Sequence, residues 1–123
     1  MAPLKSVETS DRIVRNIRTA SFQKYKGADG NLVLGQSYLQ LDDTFPKGAG
    51  LTIYKMEPNS SSQPHEHTCH EHFYVIEGEI TDNDGYTYRQ GDFALLKKGT
   101  QHYSTTTGGA TLAVFVRGLE ENI

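Results

Sequence analysis

Residues 65–71 read His-Glu-His-Thr-Cys-His-Glu, and His72 follows directly. Four of the chain's five histidines therefore lie within eight residues, with Glu71 among them. Imidazole nitrogens together with a carboxylate oxygen are a common donor set for first-row divalent metals. This stretch predicts a metal site, and it is the most specific feature of the sequence.

Alternation along a β-strand indicates which of these side chains share a face. Residues two apart point to the same side of a strand, so His65 and His67 project together. Glu71, four residues after His67, keeps that parity if the backbone stays extended. His70 and His72 have the opposite parity and are predicted to face outward. We therefore expect only two of the four clustered histidines to be metal ligands.

The fifth histidine supplies the remaining imidazole. His102 follows residues 98–101, Lys-Gly-Thr-Gln, which are typical of a tight turn that leads into a strand. A third imidazole from a neighbouring strand completes a predicted metal-binding set of His65, His67, Glu71 and His102. Four protein ligands on an octahedral ion leave two positions open for a substrate oxygen, water or dioxygen.

The rest of the chain predicts an all-β fold. Twelve glycines divide it into short segments rich in β-branched and aromatic residues, and the lengths of these segments suit strands. No stretch keeps a helical period over a dozen residues. Residues 83–85, Asn-Asp-Gly, indicate a hairpin between residues 79–81 and 86–88. Many short strands in a chain of this size favour a sandwich or a barrel.

The N-terminal region allows two interpretations. Residues 1–10 are polar and predicted to be a flexible segment, with a single domain over residues 11–123. Ser10–Thr19 is the best helix candidate, with Ser10 or Thr9 as its N-cap. A strand over Arg12–Ile17 competes with that helix, and we favour the strand slightly.

Composition excludes several classes of partner. The formal net charge of −3 leaves no basic field for nucleic acid or an anionic membrane surface. No apolar run is long enough to span a bilayer, and residues 1–16 contain no signal-peptide pattern. The single cysteine, Cys69, excludes an intrachain disulfide and fits a reducing compartment. We expect a soluble cytoplasmic protein, with Cys69 as a small buried filler.

The histidine-rich stretch resembles the first motif of the cupin family. In that motif H-x-H is followed by three or four residues, a glutamate, six residues and a glycine, which Gly78 matches here. Asn59 occupies the position where the motif usually begins with glycine. Asparagine tolerates a left-handed backbone better than other non-glycine residues, so this substitution is mild.

The segment from Gly91 to His102 is similar to the second cupin motif. That motif has a glycine, five residues, a usual proline, one residue, a glycine, two residues and a histidine. Lys97 replaces the proline, and Thr106 stands where the motif often ends in asparagine. Neither position is a ligand, so neither affects the metal prediction.

The resemblance implies a double-stranded β-helix, the jelly-roll barrel of cupins, with a divalent metal inside one end. The amino-acid sequence of residues 65–79 is most similar to that of the ChrR-like branch of small cupins. This branch includes the zinc-binding domain of an anti-sigma factor and stand-alone dioxygenases that cleave β-diketones or hydroxylated aryl ketones. The resemblance therefore implies three alternatives: a dioxygenase, a non-redox isomerase, lyase or cyclase, and a metal-binding sensory module.

Among these we favour a metal-dependent enzyme that oxidises a small organic substrate or cleaves a carbon–carbon bond. Iron is the first choice of metal, with zinc, manganese or nickel as alternatives. Polar residues that could reach the cavity and act in catalysis include Tyr103, Gln63 and Tyr54. Small cupins commonly dimerise, so a homodimer is expected, with Tyr74 and Ile76 at outward-facing positions.

The interior of the predicted barrel is assigned by residue type. Large apolar and aromatic side chains in the strand-like segments are expected to line it. These residues are Leu51, Tyr54, Met56, Phe73, Val75, Phe93, Leu95 and Phe115.

Overall fold

The computed structural model describes residues 3–27 and 29–123, which form twelve β-strands and one short 3-10 helix, Thr9–Asp11. The strands are β1 (Gln23–Lys26), β2 (Leu32–Gln40), β3 (Gly50–Met56), β4 (Ser60–Ser61), β5 (His65–Glu66), β6 (Glu71–Asp82), β7 (Thr87–Arg89), β8 (Phe93–Leu96), β9 (Gln101–His102), β10 (Ser104–Thr106), β11 (Ala110–Val116) and β12 (Glu121–Asn122). Within these ranges the structure contains no helix with the length and apolar character needed to cross a membrane. The predicted all-β fold is confirmed.

The strands form two antiparallel sheets. The larger sheet has the order β1-β2-β3-β11-β6-β10-β4, and β7 and β8 also pair with β6. The smaller sheet has the order β12-β5-β9. β6 joins the two halves of the larger sheet, because its first part pairs with β8 and β11 and its last part pairs with β7 and β10. The sheet therefore curls into the jelly-roll architecture, and the hairpin predicted at residues 79–88 is present.

A β-bulge in β6 changes which residues face inward. Opposite β11 the register shifts, so that Thr111 pairs with Glu77 whereas Leu112 pairs with Val75. Gly78 follows with a φ of +78°, a conformation that glycine adopts without strain. Buried positions consequently move from odd numbers before the bulge to even numbers after it, where Ile80 and Asp82 are buried.

The core lies between the faces of the curled sheet. Its buried residues are Met56, Phe73, Val75, Ile80, Tyr88, Ala110 and Leu112. Phe73 packs edge-to-face on Tyr88 with ring centroids 4.9 Å apart. Each large side chain buried here contributes about 1.5–3 kcal/mol relative to exposure. The interior assignment of Tyr54, Met56, Phe73 and Val75 agrees with the structure, because all four pack in or against this cluster.

The assignment of Phe93, Leu95, Leu51 and Phe115 to the interior is wrong. Phe93 is 74% exposed, and Leu95 and Leu51 also lie on the outer face. Phe115 pairs with Leu51 across β3 and β11, so it lies on the same face as Leu51. Ala94 pairs with Phe73 across the β6–β8 ladder, and Ala94 and Leu96 are the residues of β8 that pack against the core. The register of β8 against β6 therefore places the even-numbered residues of β8 inward, and residue size alone did not predict this parity.

The predicted N-terminal elements are also absent from the described residues. Neither a helix over Ser10–Thr19 nor a strand over Arg12–Ile17 forms. The backbone carbonyl of Asn16 instead accepts hydrogen bonds from Thr19 and Ala20, and its side-chain oxygen accepts one from the Arg18 amide. Asparagine offers the backbone local partners of this kind, which compete with regular structure. Ile13 and Val14 are exposed and Ile17 is only half-buried, so little burial favours a strand.

Candidate metal centre

Backbone pairing brings the three predicted histidine ligands to one end of the fold. His65 on β5 lies directly opposite His102 on β9 in the antiparallel register. His67 follows β5 and is fixed by two backbone bonds. Its amide donates to the Thr100 carbonyl at 2.9 Å, and its carbonyl accepts from the Gly99 amide at 2.8 Å. The turn before His102 therefore holds both motifs together.

The three imidazoles converge closely enough to share one ion. One ring nitrogen from each of His65, His67 and His102 lies within 4.8 Å of the others. The Nε2 atoms of His67 and His102 are 2.9 Å apart. His67 is only 1% exposed and His65 is also buried, so the cluster is shielded from water. The structure thus assembles imidazoles from two distant parts of the chain, as the sequence predicts.

The other nitrogen of each ring has a hydrogen-bond acceptor on the side away from this convergence. His65 Nδ1 lies 2.6 Å from the Gln63 carbonyl, His67 Nδ1 lies 2.7 Å from Glu71 Oε2, and His102 Nδ1 lies 3.0 Å from Asp82 Oδ1. A carbonyl only accepts, so His65 carries a proton on Nδ1. Carboxylate partners on the Nδ1 side of the other two rings leave the Nε2 atoms of His67 and His102 facing each other across the cluster. This donor set fits a divalent metal.

Glu71 lies beside the cluster, against one ring. Its carboxylate contacts Nδ1 of His67, and it is not among the groups that converge within 4.8 Å in the described part of the chain. Burial alone would lower the pKa of His67. The hydrogen bond and charge of Glu71, with the charges of Glu120 and Asp82, reverse this and raise it. The ligand role of Glu71 remains a prediction.

Asp82 is a buried anchor that the sequence did not indicate. Ser104 donates a hydrogen bond to its Oδ1 at 2.6 Å, and Tyr88 donates to its Oδ2 at 2.7 Å, in addition to the contact with His102. Burial would raise the pKa of Asp82, but the bonds from His102, Ser104 and Tyr88 keep it below its usual value. Asp82 therefore stays ionised and fixes the orientation of the His102 ring.

A second carboxylate also approaches the histidines without a sequence signal. Glu120 Oε2 lies 3.2 Å from His65 Nε2, and the Tyr25 hydroxyl donates to Glu120 Oε1 at 2.9 Å. Burial, followed by the charge of Glu120, raises the pKa of Tyr25 well above its usual value. Tyr25 thus remains a protonated donor at neutral pH. Neither residue belongs to a motif, and no spacing pattern links them to the histidines.

A cavity of about 100 Å³ opens beside the cluster. For comparison, an apolar cavity of roughly 150 Å³ accommodates benzene. The polar end of the cavity in this protein contains the three histidines with Glu71 and Glu120. Three tyrosines lie along the cavity wall: Tyr25, Tyr38 and Tyr54. The apolar residues that line the remainder include Met56, Phe73, Ile80, Leu112, Val114 and Val116. A small, mainly apolar pocket against a cluster of metal-binding groups is the usual form of a small-molecule site.

Comparison with known proteins agrees with this geometry. Residues 31–120 match the family described as the ChrR cupin-like domain. The chain belongs to the ChrR cupin-like family. No curated protein matches this cupin.

Solved structures with the same fold share little sequence with this cupin. The polyketide cyclase RemF from Streptomyces resistomycificus is 20% identical with a TM-score of 0.64, over 90% of this chain and 86% of that one. An acetylacetone dioxygenase from Acinetobacter johnsonii is 13% identical with a TM-score of 0.69, over 100% and 85%. A putative acetylacetone dioxygenase from Methylibium petroleiphilum is 13% identical with a TM-score of 0.72, over 98% and 85%. These similarities establish the fold.

The three predicted catalytic candidates occupy different places in this cupin. Tyr54 lines the cavity, and its hydroxyl bonds to the side-chain oxygen of Gln36. Burial raises the pKa of Tyr54, so it remains a neutral donor. Tyr103 is exposed and lies outside the cavity. Gln63 contacts the site through its backbone carbonyl, which accepts a hydrogen bond from His65. Its exposed side chain accepts a hydrogen bond from the Asn122 side chain.

The remaining residues of the histidine-rich stretch lie outside the cluster. His70 and His72 are exposed, as strand alternation predicts. His70 Nδ1 accepts a hydrogen bond from the Lys98 amide at 2.8 Å, and His72 stacks on Phe93. Cys69 is half-buried, not fully buried as a filler would be. Its sulfur contacts the Thr68 hydroxyl at 3.9 Å.

Proposed function

We propose that this cupin is a metal-dependent enzyme that oxidises a small organic molecule, or cleaves one of its carbon–carbon bonds, with dioxygen. The observation that carries the proposal is the convergence of one ring nitrogen from each of His65, His67 and His102 at the polar end of a small apolar cavity. A structural metal site closes its coordination sphere with protein ligands, whereas a catalytic one keeps positions open beside a pocket.

The protein groups divide into those that hold the ion and those that shape its surroundings. His65, His67 and His102 hold it, and a carboxylate completes the set, for which the sequence predicts Glu71. When bound, the ion supplies Lewis acidity toward a substrate oxygen and, if it is iron, redox capacity. Gln63 and Asp82 fix ring orientation through Nδ1. The apolar walls exclude water from the reacting atoms.

The volume and the lining of the cavity also favour one class of substrate. Its volume admits only a small molecule, and its donors, Tyr25 and Tyr54, line the same wall as the apolar side chains. A compact, enolisable diketone offers two oxygens to the polar end and apolar groups to the walls. Acetylacetone, the substrate named for two proteins of this fold, has this chemistry and serves as the probe.

Metal content and oxygen uptake test the proposal. We expect elemental analysis of protein purified without an affinity tag to find iron. Fe(II)-loaded protein should consume dioxygen when acetylacetone is added, whereas Zn(II)-loaded protein should not. Protein that turns over the diketone equally well without dioxygen would exclude oxygenation.

A specific observation favours non-redox catalysis as the second candidate. Tyr25 and Glu120 form a hydrogen-bonded pair beside the histidines, which offers a proton donor and a carboxylate within one site. Isomerase, lyase or cyclase chemistry at zinc, manganese or nickel needs such groups. The polyketide cyclase with the same fold is consistent with this alternative. Zinc in the purified protein and turnover of an enolisable substrate under anaerobic conditions would favour it over oxygenation.

A further inference from the structure

Residues 118–123, which follow β11, cover part of the polar end of the cavity, and we call them the strap. Gly118, Leu119 and Glu120 of the strap line the cavity beside the histidine cluster. Glu120 Oε2 lies 3.2 Å from His65 Nε2, and His65 is only 5% exposed. The strap therefore contributes to the burial of this histidine.

The strap is attached to the fold more weakly than the other walls of the cavity. The apolar wall belongs largely to β3, β6 and β11, and β11 pairs with β3 over seven residues. Within the strap, β12 pairs with β5 over only two residues. Leu119 is 50% exposed, and residues 121–123 are all exposed. Segments with little buried surface and exposed backbone hydrogen bonds open at the lowest free energy.

Two side-chain hydrogen bonds of the strap are also exposed to solvent. The Thr68 hydroxyl donates to the Leu119 carbonyl at 2.6 Å, and the Asn122 side chain donates to Gln63 Oε1 at 3.1 Å. Water replaces exposed hydrogen bonds at little cost, so these two bonds oppose opening only weakly.

The hydrogen bond between Tyr25 and Glu120 holds the strap more firmly. The Tyr25 hydroxyl donates to Glu120 Oε1 at 2.9 Å in a partly buried position. Tyr25 lies on β1, and its ring packs edge-to-face on Tyr38 and Tyr54, with centroids 6.2 and 5.9 Å apart. A fixed donor on a carboxylate makes a stronger bond than a neutral pair does. This bond therefore acts as the latch of the strap.

We propose that the strap opens and closes over the histidine cluster, with the Tyr25–Glu120 bond as its latch, and that its opening admits small molecules to the cavity. The role in substrate entry rests on the proposed function. The opening itself does not, because it depends on protein contacts alone and takes place in metal-free protein.

Reaction of histidine with diethyl pyrocarbonate tests the opening in protein stripped of metal by a chelator. The reagent acylates accessible imidazole nitrogens, and fragmentation of the modified peptide by mass spectrometry locates each product. His65 is buried under the strap, so its rate of modification reports opening. His70 is exposed and provides the reference rate within the same molecule.

A reversible disulfide holds the strap closed. Glu66 and Glu121 lie directly opposite each other across β5 and β12. Residues paired in this way have Cα atoms about 4.5–5.5 Å apart, within the range for a disulfide. The double variant Glu66→Cys/Glu121→Cys is made in a Cys69→Ser parent, so that the native thiol cannot compete.

A second disulfide provides the control. Glu79 and Arg89 lie opposite each other across β6 and β7, outside the strap. Glu79→Cys/Arg89→Cys in the same parent therefore introduces a comparable crosslink that leaves the strap free to open.

We expect the oxidised strap disulfide to slow modification of His65, relative to His70, by about tenfold or more. Reduction with dithiothreitol should restore the rate of the Cys69→Ser parent, and the oxidised control should match that parent. Because the oxidised and reduced proteins are the same chain, a folding defect would affect both forms.

The latch is tested separately by removal of one hydroxyl group. Tyr25→Phe should accelerate modification of His65 by about tenfold, because the strap loses its charge-assisted hydrogen bond. Tyr38→Phe is the control, since the hydroxyl of Tyr38 donates to Gln23 and not to the strap. Its rate at His65 should match the wild type.

Two results would overturn the proposal. One is a rate at His65 that is the same in the oxidised and reduced strap variant, and the other is a wild-type rate at His65 equal to that at His70. Failure of the proposed function would instead appear in metal content and oxygen uptake, which the modification experiment does not use.

Discussion

At the scale of single residues, the position of a ring nitrogen decides whether a histidine of this cupin binds metal. His102 contributes one of three converging nitrogens and is fixed by Asp82. We predict that His102→Ala abolishes stoichiometric metal binding, because only the imidazoles of His65 and His67 remain. Metal content measured by elemental analysis after loading and desalting checks this expectation.

His70 is the matched control for His102, since it is exposed and lies outside the cluster. We predict that His70→Ala retains one metal per chain. The substitution removes the acceptor of the Lys98 amide, so the free energy of unfolding should fall by about 1 kcal/mol. A folded His70→Ala protein that loses its metal would contradict the outward assignment of this histidine.

Strand alternation predicted that His65 and His67 point inward. It could not predict which carboxylates contact the histidine rings. Asp82 has an even number on a strand whose first inward residues, Phe73 and Val75, have odd numbers. Glu120 reaches the cluster only because β12 folds back beside β5. Periodicity describes one strand at a time, so contacts created by a bulge or by a returning chain end lie beyond it.

At the scale of elements, the bulge of β6 depends on Gly78. A Cβ built at this position would lie 2.1 Å from the Gly109 carbonyl oxygen, and φ is +78°. We predict that Gly78→Ala destabilises the protein by about 2–4 kcal/mol, because the added methyl group collides with backbone and the conformation is strained. The shift of the urea unfolding midpoint measures the loss.

Gly85 provides the control for the bulge. Its φ is +91°, but a Cβ there would have nothing within 4 Å. Gly85→Ala should therefore cost only the backbone strain of the hairpin turn, about 1–2 kcal/mol. Equal losses in the two variants would show that the close approach of β6 to β11 is unimportant.

The loop between β2 and β3 contains a carboxylate whose pKa is lowered by its hydrogen bonds. The Thr44 hydroxyl donates to Asp42 Oδ1 at 2.6 Å and the Thr44 amide at 3.0 Å, which lowers the pKa of Asp42 below its usual 3.8. A pKa that is lower in the folded state stabilises the protein above pH 3.8. This stabilisation is lost as the pH falls through the folded-state value.

We predict that the wild type is more stable than Asp42→Asn at pH 7 and that the difference shrinks as the pH falls below 3.8. Urea unfolding of both proteins at each pH measures the difference in their free energies of unfolding. Acid destabilisation that is common to the two proteins cancels in this difference. Asp43→Asn is the control, because it removes a charge from the same loop at a carboxylate that accepts none of the Thr44 hydrogen bonds. A constant difference for Asp42→Asn at all pH values would contradict the role of its charge.

Elements were predictable where glycine and alternation act together, as in the hairpin at residues 79–88. They were not predictable at Arg12–Ile17, which contains three apolar residues but pairs with no other strand in the described part of the chain. A strand needs a partner ladder and a buried face, and local sequence reports neither. The side chains of Ile13 and Val14 are more than half exposed, which shows that this burial is missing.

At the scale of the whole molecule, the outer face of the larger sheet carries a row of apolar side chains, with His72 between Leu95 and Phe115. Phe93 pairs with Tyr74, Tyr74 with Ala113, and Ala113 with Ile53 across strands β8, β6, β11 and β3. Leu51, Leu95 and Phe115 extend the same face. Ile76, also predicted at an interface, is half-buried. An exposed apolar row of this kind marks an interaction site.

A second copy of the chain suits this surface, because an isologous contact requires only that one patch be self-complementary. We predict a homodimer in solution, with twice the chain mass of 13.7 kDa by light scattering. Phe93→Glu should produce a monomer, since Phe93 is the most exposed aromatic residue of the patch and a charge there cannot be buried without cost. Val14→Glu, an equally exposed apolar position outside the sheet, should leave the mass unchanged. A wild-type mass of one chain would show that solvent covers this face.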